Sequence, residues 1–299
     1  MVSLIQPRMQ KWAKDVLPPV FHRALVHAHG SLYNLKHREK LAQNQFLRHK
    51  HEGQRCFILG NSPSVLDNDL GLLGGESVFT ISNGYLHPNY DRISPKYHCV
   101  PQLTYSDVEG GMSELKAVEW FSEMDDSLGE AEIFLHLNEY VLVKKKGLFS
   151  KRRVWFVGSH PAWQRRPSCD LTKALFPILS APQMVIAIAI YMGFKSIYLL
   201  GIDYNFVCTR KYNYFFNGNM LKFNDPGVKD DGTLRTTLVQ DLEGTWRIFL
   251  GFERLSKLAS RGSVNIYNCS EHSMLDAFPK IDLRKVLKEN EGLLGGGGE

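Results

Sequence analysis

Residues 181–193, Ala-Pro-Gln-Met-Val-Ile-Ala-Ile-Ala-Ile-Tyr-Met-Gly, constrain this chain more than any other stretch. Apart from Gln183 they offer no polar side to water. A helix that is apolar all round has to be buried on all sides. Ser180 in front and Gly193 behind supply start and stop signals. The run is shorter than the roughly 18 residues a membrane-spanning helix needs. A central helix of a large soluble core is the reading that remains. Ser196-Ile197-Tyr198-Leu199-Leu200 follows at once as a buried strand, ending in Gly201-Ile202-Asp203.

The same grammar recurs upstream. Short apolar runs at Cys56–Leu59, Val78–Ser82, Tyr97–Val100, Ile133–Leu137 and Val154–Val157 read as strands, and Val264–Asn268 as a last one. Between them, Ser113 to Met124 and Leu238 to Ser260 have helical periodicity. Alternating apolar strands and helices predict an α/β fold, a mostly parallel sheet with helices on both faces. Ligands of such sheets bind beyond the carboxyl ends of the strands, at a topological switch point. The residues to inspect are therefore Gly60, Asn61, Ser62, Asn83 and Asp203.

Charge divides the chain. Residues 1–55 hold 10 Lys or Arg against 3 Asp or Glu, while the other 244 hold 26 against 28, so a +7 arm precedes a domain of −2. The expected organisation is a basic helical arm over 1–54, a Rossmann-like domain over 55–287, and a flexible glycine-rich tail over 288–299. In the arm, short helices are expected near Gln10–Val16, Val20–His29 and Tyr33–Lys50. Trp12, Phe21 and Leu25 would give an apolar face, compatible with an anionic membrane surface; a solvated arm packed on the domain is the plainer reading. Five scattered cysteines with no CxxC pair argue against a disulfide framework and for a reducing, cytoplasmic compartment. The core carries no nucleic-acid module.

Gly60-Asn61-Ser62-Pro63-Ser64 ends a strand and reads as a helix start. Glycine allows close ligand approach, and amides at a helix start attract phosphate. An ordinary turn with Ser62 or Ser64 as cap reads equally well. Ser180, natural as an N-cap, is also placed to offer a second anion site. Asp203 is placed either to bind a hydroxyl or to cap a turn. Asp67-Asn68-Asp69 has a D-x-D shape, at the wrong place for a strand-end metal site.

The array Phe57–Ser64, Ile81-Ser82-Asn83, Ser180–Phe194 and Ile197–Asp203 resembles the bacterial family 42 sialyltransferases and the related proteins of domain of unknown function 115. Ile266–Cys269 followed by Met274–Pro279 fits that wider group, over roughly residues 55–285. The resemblance implies a Rossmann-like, GT-A-like variant domain that binds a CMP-activated sialic-type (nonulosonic) sugar without metal or other cofactor. Asn61 and Asn83 match asparagines that contact the donor, with Gly60 and Ser62 in the same loop. Ser180 matches a serine at the donor phosphate or carboxylate, and Asp203 the acid of a Gly-Ile-Asp motif. Asn205 falls where the family has a donor-binding tyrosine, and Tyr212 or Tyr214 replaces a second.

The family's general base is a histidine shortly before the long C-terminal helix. No histidine lies between His160 and His272, and Asp241 and Glu243 occupy that neighbourhood, so either would take the role. The activity implied is inverting transfer to a saccharide or glycolipid acceptor at the inner face of the cytoplasmic membrane. A pterin diphosphokinase-like enzyme and a non-catalytic nucleotide-binding or membrane-scaffold protein are the alternatives. The oligomeric state is open.

Overall fold

The computed structural model describes residues 19–105, 112–160, 167–209, 213–216 and 237–294. The helix expected at Gln10–Val16 lies outside them. Seven strands form one sheet: β1 (Arg55–Leu59), β2 (Val78–Ile81), β3 (Tyr97–Val100), β4 (Glu132–His136), β5 (Val154–Val157), β6 (Ser196–Leu200) and β7 (Asn265–Asn268). Their order is β5-β4-β3-β2-β1-β6-β7, and every pair is parallel. This is a Rossmann-like α/β fold. The chain walks outward from β1 to β5, crosses back, and lays β6 against the other side of β1. The switch point thus falls between the ends of β1 and β6.

Among the described residues six α-helices of more than one turn accompany it: α1 (Pro19–Ala42), α2 (Glu114–Ser127), α3 (Tyr140–Lys146), α4 (Ala181–Tyr191), α5 (Leu238–Arg261) and α6 (Leu283–Leu294). The apolar run at 181–193 behaves as its composition demands. Met184 to Ala189 of α4 are fully buried between the sheet and α5. Burying a helix from all sides removes several large aliphatic side chains from water, each contributing about 1.5–3 kcal/mol. The other face of the sheet packs Trp120, Phe121 and Met124 of α2 at the β3–β4 side, and Leu70, Leu73, Leu283 and Val286 at the β1–β6 side.

Two expectations change. The two arm helices expected at Val20–His29 and Tyr33–Lys50 are one 24-residue helix followed by a 3-10 turn, Gln43–Leu47. With no proline after Pro19, nothing in the arm breaks it. The arm is also bound to the domain: Asn44 Nδ2 donates to the Phe156 and Leu171 carbonyls, both at 2.8 Å, and the Ala174 amide donates to Asn34 Oδ1 at 2.7 Å. The tail expected to be flexible from 288 is helical to Leu294, because Leu283 and Val286 anchor α6 in the core. The basic run Lys144–Arg153 is largely structural. The three lysines end α3 before the left-handed Gly147, where cations suit the helix dipole. Arg152 is bound to Asp125 and donates to the Gly129 carbonyl at 2.8 Å.

Candidate functional site

Gly60 and Gly201 bring the ends of β1 and β6 together. A Cβ on Gly60 would sit 2.1 Å from the Gly201 carbonyl oxygen, and one on Gly201 2.7 Å from Val65 Cβ. Gly201 also has φ +64°, a conformation that favours glycine. The loops beyond are stitched together by backbone and hydroxyl groups. The Ser62 amide donates to the Gly201 carbonyl at 3.0 Å, and the Asp203 amide to Ser62 Oγ at 3.2 Å. Ser64 Oγ donates to the Asp203 carboxylate and lies 3.2 Å from Ser270 Oγ, which accepts from the Gly201 amide at 2.9 Å. Ser273 Oγ donates to the Ile202 carbonyl at 2.7 Å. Asp203, 3% exposed, is the hub of three loops.

The sequence pointed to Gly60, Asn61, Ser62 and Asp203, and the fold gathers them here. It did not point to Ser64, Ser270 or Ser273 as partners, since serines in polar loops carry no distinguishing pattern. Ser64 and Ser270 also line a cavity of about 510 Å³, with Asp67, Lys280 and Arg284 on its walls. The helix expected to start at Ser62–Ser64 is only a five-residue 3-10 turn, Pro63–Asp67. Asn68, Asp69 and Gly71 favour a turn, and Asp69 accepts from the Gly71 amide at 3.0 Å. Phosphate capture by a helix start is therefore absent from this loop.

Asn61 is different from its neighbours. Its carbonyl oxygen accepts from the Phe215 amide at 3.0 Å, but its side-chain Oδ1 is buried with no hydrogen-bond partner. Oδ1 would lie 3.7 Å from a Cβ on Gly84, so Asn61 faces the end of β2. There Asn83 is 2% exposed, and its Oδ1 accepts from the Trp120 indole at 2.7 Å. That bond turns one end of the Asn83 amide into the core. His87 follows, 7% exposed. Its Nδ1 accepts from the Asn89 amide at 3.1 Å, which puts the ring proton on Nε2, and Nε2 has no partner. The His87 ring packs edge-on to Phe215 at 5.4 Å. Burial holds its pKa below the ordinary histidine value, so the ring is neutral.

Ser180 precedes α4 in extended backbone and makes no capping bond. Its Oγ is buried without a partner in hydrogen-bonding geometry. No side chain caps the start of α4, whose first turn contains Pro182, and the Met184 amide donates to the Ser180 carbonyl at 3.4 Å. Tyr204, next to Asp203, is its neighbour. Burial raises the Tyr204 pKa, and the Ser180 hydroxyl opposes that. Asn205 begins the turn Phe206–Thr209, its carbonyl accepting from the Cys208 amide at 3.0 Å. Tyr214 stacks on Phe216 with centroids 5.1 Å apart and rings 4° from parallel. Tyr212 lies outside the described residues. Asp241 is half-buried in the first turn of α5, whereas Glu243 is exposed and accepts from Arg247 at 2.6 Å.

A second polar group at the ends of β4 and β5 escaped the sequence reading. His136 Nε2 lies 2.9 Å from Ser159 Oγ, while the Asn138 amide donates to Nδ1 at 3.3 Å. The proton is therefore on Nε2, and the ring donates to the serine rather than activating it. Glu139, 1% exposed, accepts from the Tyr105 hydroxyl at 2.6 Å and the Leu103 amide at 3.3 Å. Burial pushes its pKa up, and these two bonds oppose the rise.

No family model matches this chain, and no curated protein matches it. Among solved structures it is similar to the sialyltransferase CstII from Campylobacter jejuni, solved with a substrate analogue, cytidine-5'-monophosphate. The two are 16% identical over 77% of this chain and 85% of that one, with a TM-score of 0.41. What the fold and mouth define by themselves is a parallel α/β protein with a polar, partly unpartnered site at its switch point.

Proposed function

We propose that this chain is a glycosyltransferase that moves a sialic-type sugar from a CMP-activated donor to a saccharide or lipid-linked acceptor. The observation that carries the proposal is the buried, unpartnered Asn61 Oδ1 at the switch point. A buried polar atom left unsatisfied costs about 1–3 kcal/mol, so such an atom in a ligand mouth is an acceptor waiting for a donor. An exocyclic amine or ribose hydroxyl of a nucleotide supplies one.

In this reading Asn61 and Asn83 flank the nucleoside, and the Ser180 hydroxyl at the start of α4 meets the phosphate or the sugar carboxylate. Gly60 and Gly201 let the backbone come close. Ser62 and Asp203 fix the loops that hold the donor. Tyr214 and Asn205 stand at the margin. The acceptor hydroxyl attacks the anomeric carbon as the bond to the phosphate oxygen breaks, and CMP leaves with that electron pair. The acceptor proton passes to a base. Of the two carboxylates considered, Asp241 is half-buried and Glu243 exposed, so we assign the role to Asp241. The basic arm, residues 1–50, would keep the enzyme at an anionic membrane face where lipid-linked acceptors lie.

Calorimetry with CMP, GTP and ATP tests the donor. CMP is expected to bind in preference. ATP-dependent turnover of a pterin, or binding of none of the three, would overturn the proposal. For the base, Asp241→Asn is expected to lower kcat about a hundredfold or more with CMP affinity unchanged, and Glu243→Gln to leave both nearly alone.

A further inference from the structure

Two buried side-chain atoms at the strand-end mouth lack partners among the described residues, and they are opposite halves of a hydrogen bond. Asn61 Oδ1 is an acceptor, and His87 Nε2, which carries the ring proton, is a donor. Both border Gly84. Asn61 Oδ1 would lie 3.7 Å from a Cβ there, and the His87 amide donates to the Gly84 carbonyl at 3.2 Å. Gly84 itself adds no side chain to the space beside them. Both also border Phe215. Its amide donates to the Asn61 carbonyl at 3.0 Å, and its ring meets the His87 ring edge-on, centroids 5.4 Å apart.

His87 is held from three directions. Pro88 keeps it in extended backbone, at φ −66° and ψ 132°. The Asn89 amide donates to Nδ1 at 3.1 Å, and Phe215 packs against the ring. The residue is 7% exposed, and the transfer chemistry does not use it. Folded proteins pair nearly all of their buried N–H groups. This one is fixed in direction, with its hydrogen-bonding capacity unmet.

The two atoms together suit a ligand that presents a donor beside an acceptor. Among nucleobases that is the amino edge: the exocyclic N–H of cytosine next to its ring N3, or that of adenine next to its ring N1. Uracil and hypoxanthine reverse the order, with a keto oxygen next to a ring N–H. An asparagine amide can turn over to meet a keto oxygen. His87 cannot follow, because the Asn89 N–H holds Nδ1 as the acceptor. Against uracil its Nε2–H would face a ring N–H, donor against donor.

We propose that His87 is the specificity-determining residue of this mouth: with Asn61 it selects a nucleobase that presents an amino edge, cytosine over uracil. Asn61 Oδ1 accepts from the exocyclic N–H, and His87 Nε2–H donates to the ring nitrogen. The inference rests on the proposed function only in seating a nucleobase here, and it is independent of which sugar is transferred.

Calorimetric titration of the full chain with CMP and UMP is the test. Wild type is expected to bind CMP about tenfold or more tighter than UMP. His87→Asn puts an amide oxygen near the Nδ1 position, so it keeps the bond from the Asn89 amide but loses the outer N–H. His87→Gln reaches the Nε2 position and restores an N–H there. His87→Asn is expected to melt close to wild type and to bring the two affinities within about twofold of each other. His87→Gln is expected to melt lower and to keep most of the preference. A CMP preference that survives in His87→Asn overturns the inference, and so does a wild type that binds both nucleotides alike. Equal loss of both affinities in both variants assigns His87 to packing and overturns it as well. A wild type that binds neither pyrimidine nucleotide but takes AMP over IMP, with that preference lost in His87→Asn, strikes the proposed function and leaves the edge selection standing. A wild type that binds none of the four overturns both.

Discussion

The two ends of one sheet edge carry polar clusters of opposite kind. At the β4–β5 mouth every described polar atom in the cluster is satisfied: His136 uses both nitrogens, and Glu139 both oxygens. At the β1–β6 mouth hydroxyls and amides stitch three loops, yet Asn61 Oδ1 is left over. A closed network rigidifies and specifies a fold. An open one stores unmet hydrogen-bonding capacity for a ligand. The histidine-serine pair looks more like chemistry at first sight, but its tautomer and its saturation make it architecture.

Acid should separate the two regions most. Burial lowers the His98 pKa to about 3 and the His136 pKa to about 4. Both sit at the β3–β4 side. Their neutral forms are favoured in the folded state, so their contribution is intact above the unfolded value near 6.5 and is lost as pH falls below it. Each should cost about 1.4 kcal/mol per pH unit in that window, or on the order of 5 kcal/mol together by pH 4.5. Urea unfolding at pH 7.5, 6.5, 5.5 and 4.5 measures it. In His136→Asn the slope should fall by about one proton; an unaltered slope would show that this mouth does not titrate.

Gly60→Ala strikes the other mouth. Its methyl group meets the Gly201 carbonyl, a backbone atom that cannot swing away. We expect a loss of about 3 kcal/mol and of CMP binding with it. A variant as stable as wild type would mean that the strand ends separate freely.

Asn61→Ala removes the unpartnered group itself. CMP affinity should fall about tenfold to a hundredfold while thermal stability holds or rises slightly, because an unsatisfied atom has been deleted. A drop in stability without a change in affinity would make Asn61 as structural as His136.

Tyr105→Phe should do least. It takes one bond from Glu139, costs about 1 kcal/mol of stability, and leaves CMP affinity untouched. Weakened CMP binding would extend the ligand site across the whole sheet edge.

The sheet was legible in the sequence, because each buried strand is a short apolar run closed by Gly, Asn, His or Pro. All seven observed strands lie within a residue or so of the expected ones. So were Ser113, which accepts from the Lys116 amide, and the long helix behind Thr237. The turn at Pro63–Asp67 was not, since a Ser-Pro start looks alike for one turn or for ten residues. The helix Leu283–Leu294 was missed because two buried side chains, Leu283 and Val286, decide it against a polar background. At the site, strand-end glycines and asparagines were visible. Which hydroxyl meets which carboxylate depends on three loops far apart in the chain, and no local pattern records it.

That separation has a cost in time. Ser62 meets Asp203 across 141 residues and Ser64 meets Ser270 across 206. A ribosome adding 5–20 residues each second needs roughly 7 to 28 s to travel the shorter of these distances. Throughout, β1 exists as an apolar sheet edge awaiting a neighbour, the kind of surface that recruits strangers. The mouth that would hold the ligand is thus among the last parts of the molecule to be born, and the nascent chain is most vulnerable where the finished protein is most useful.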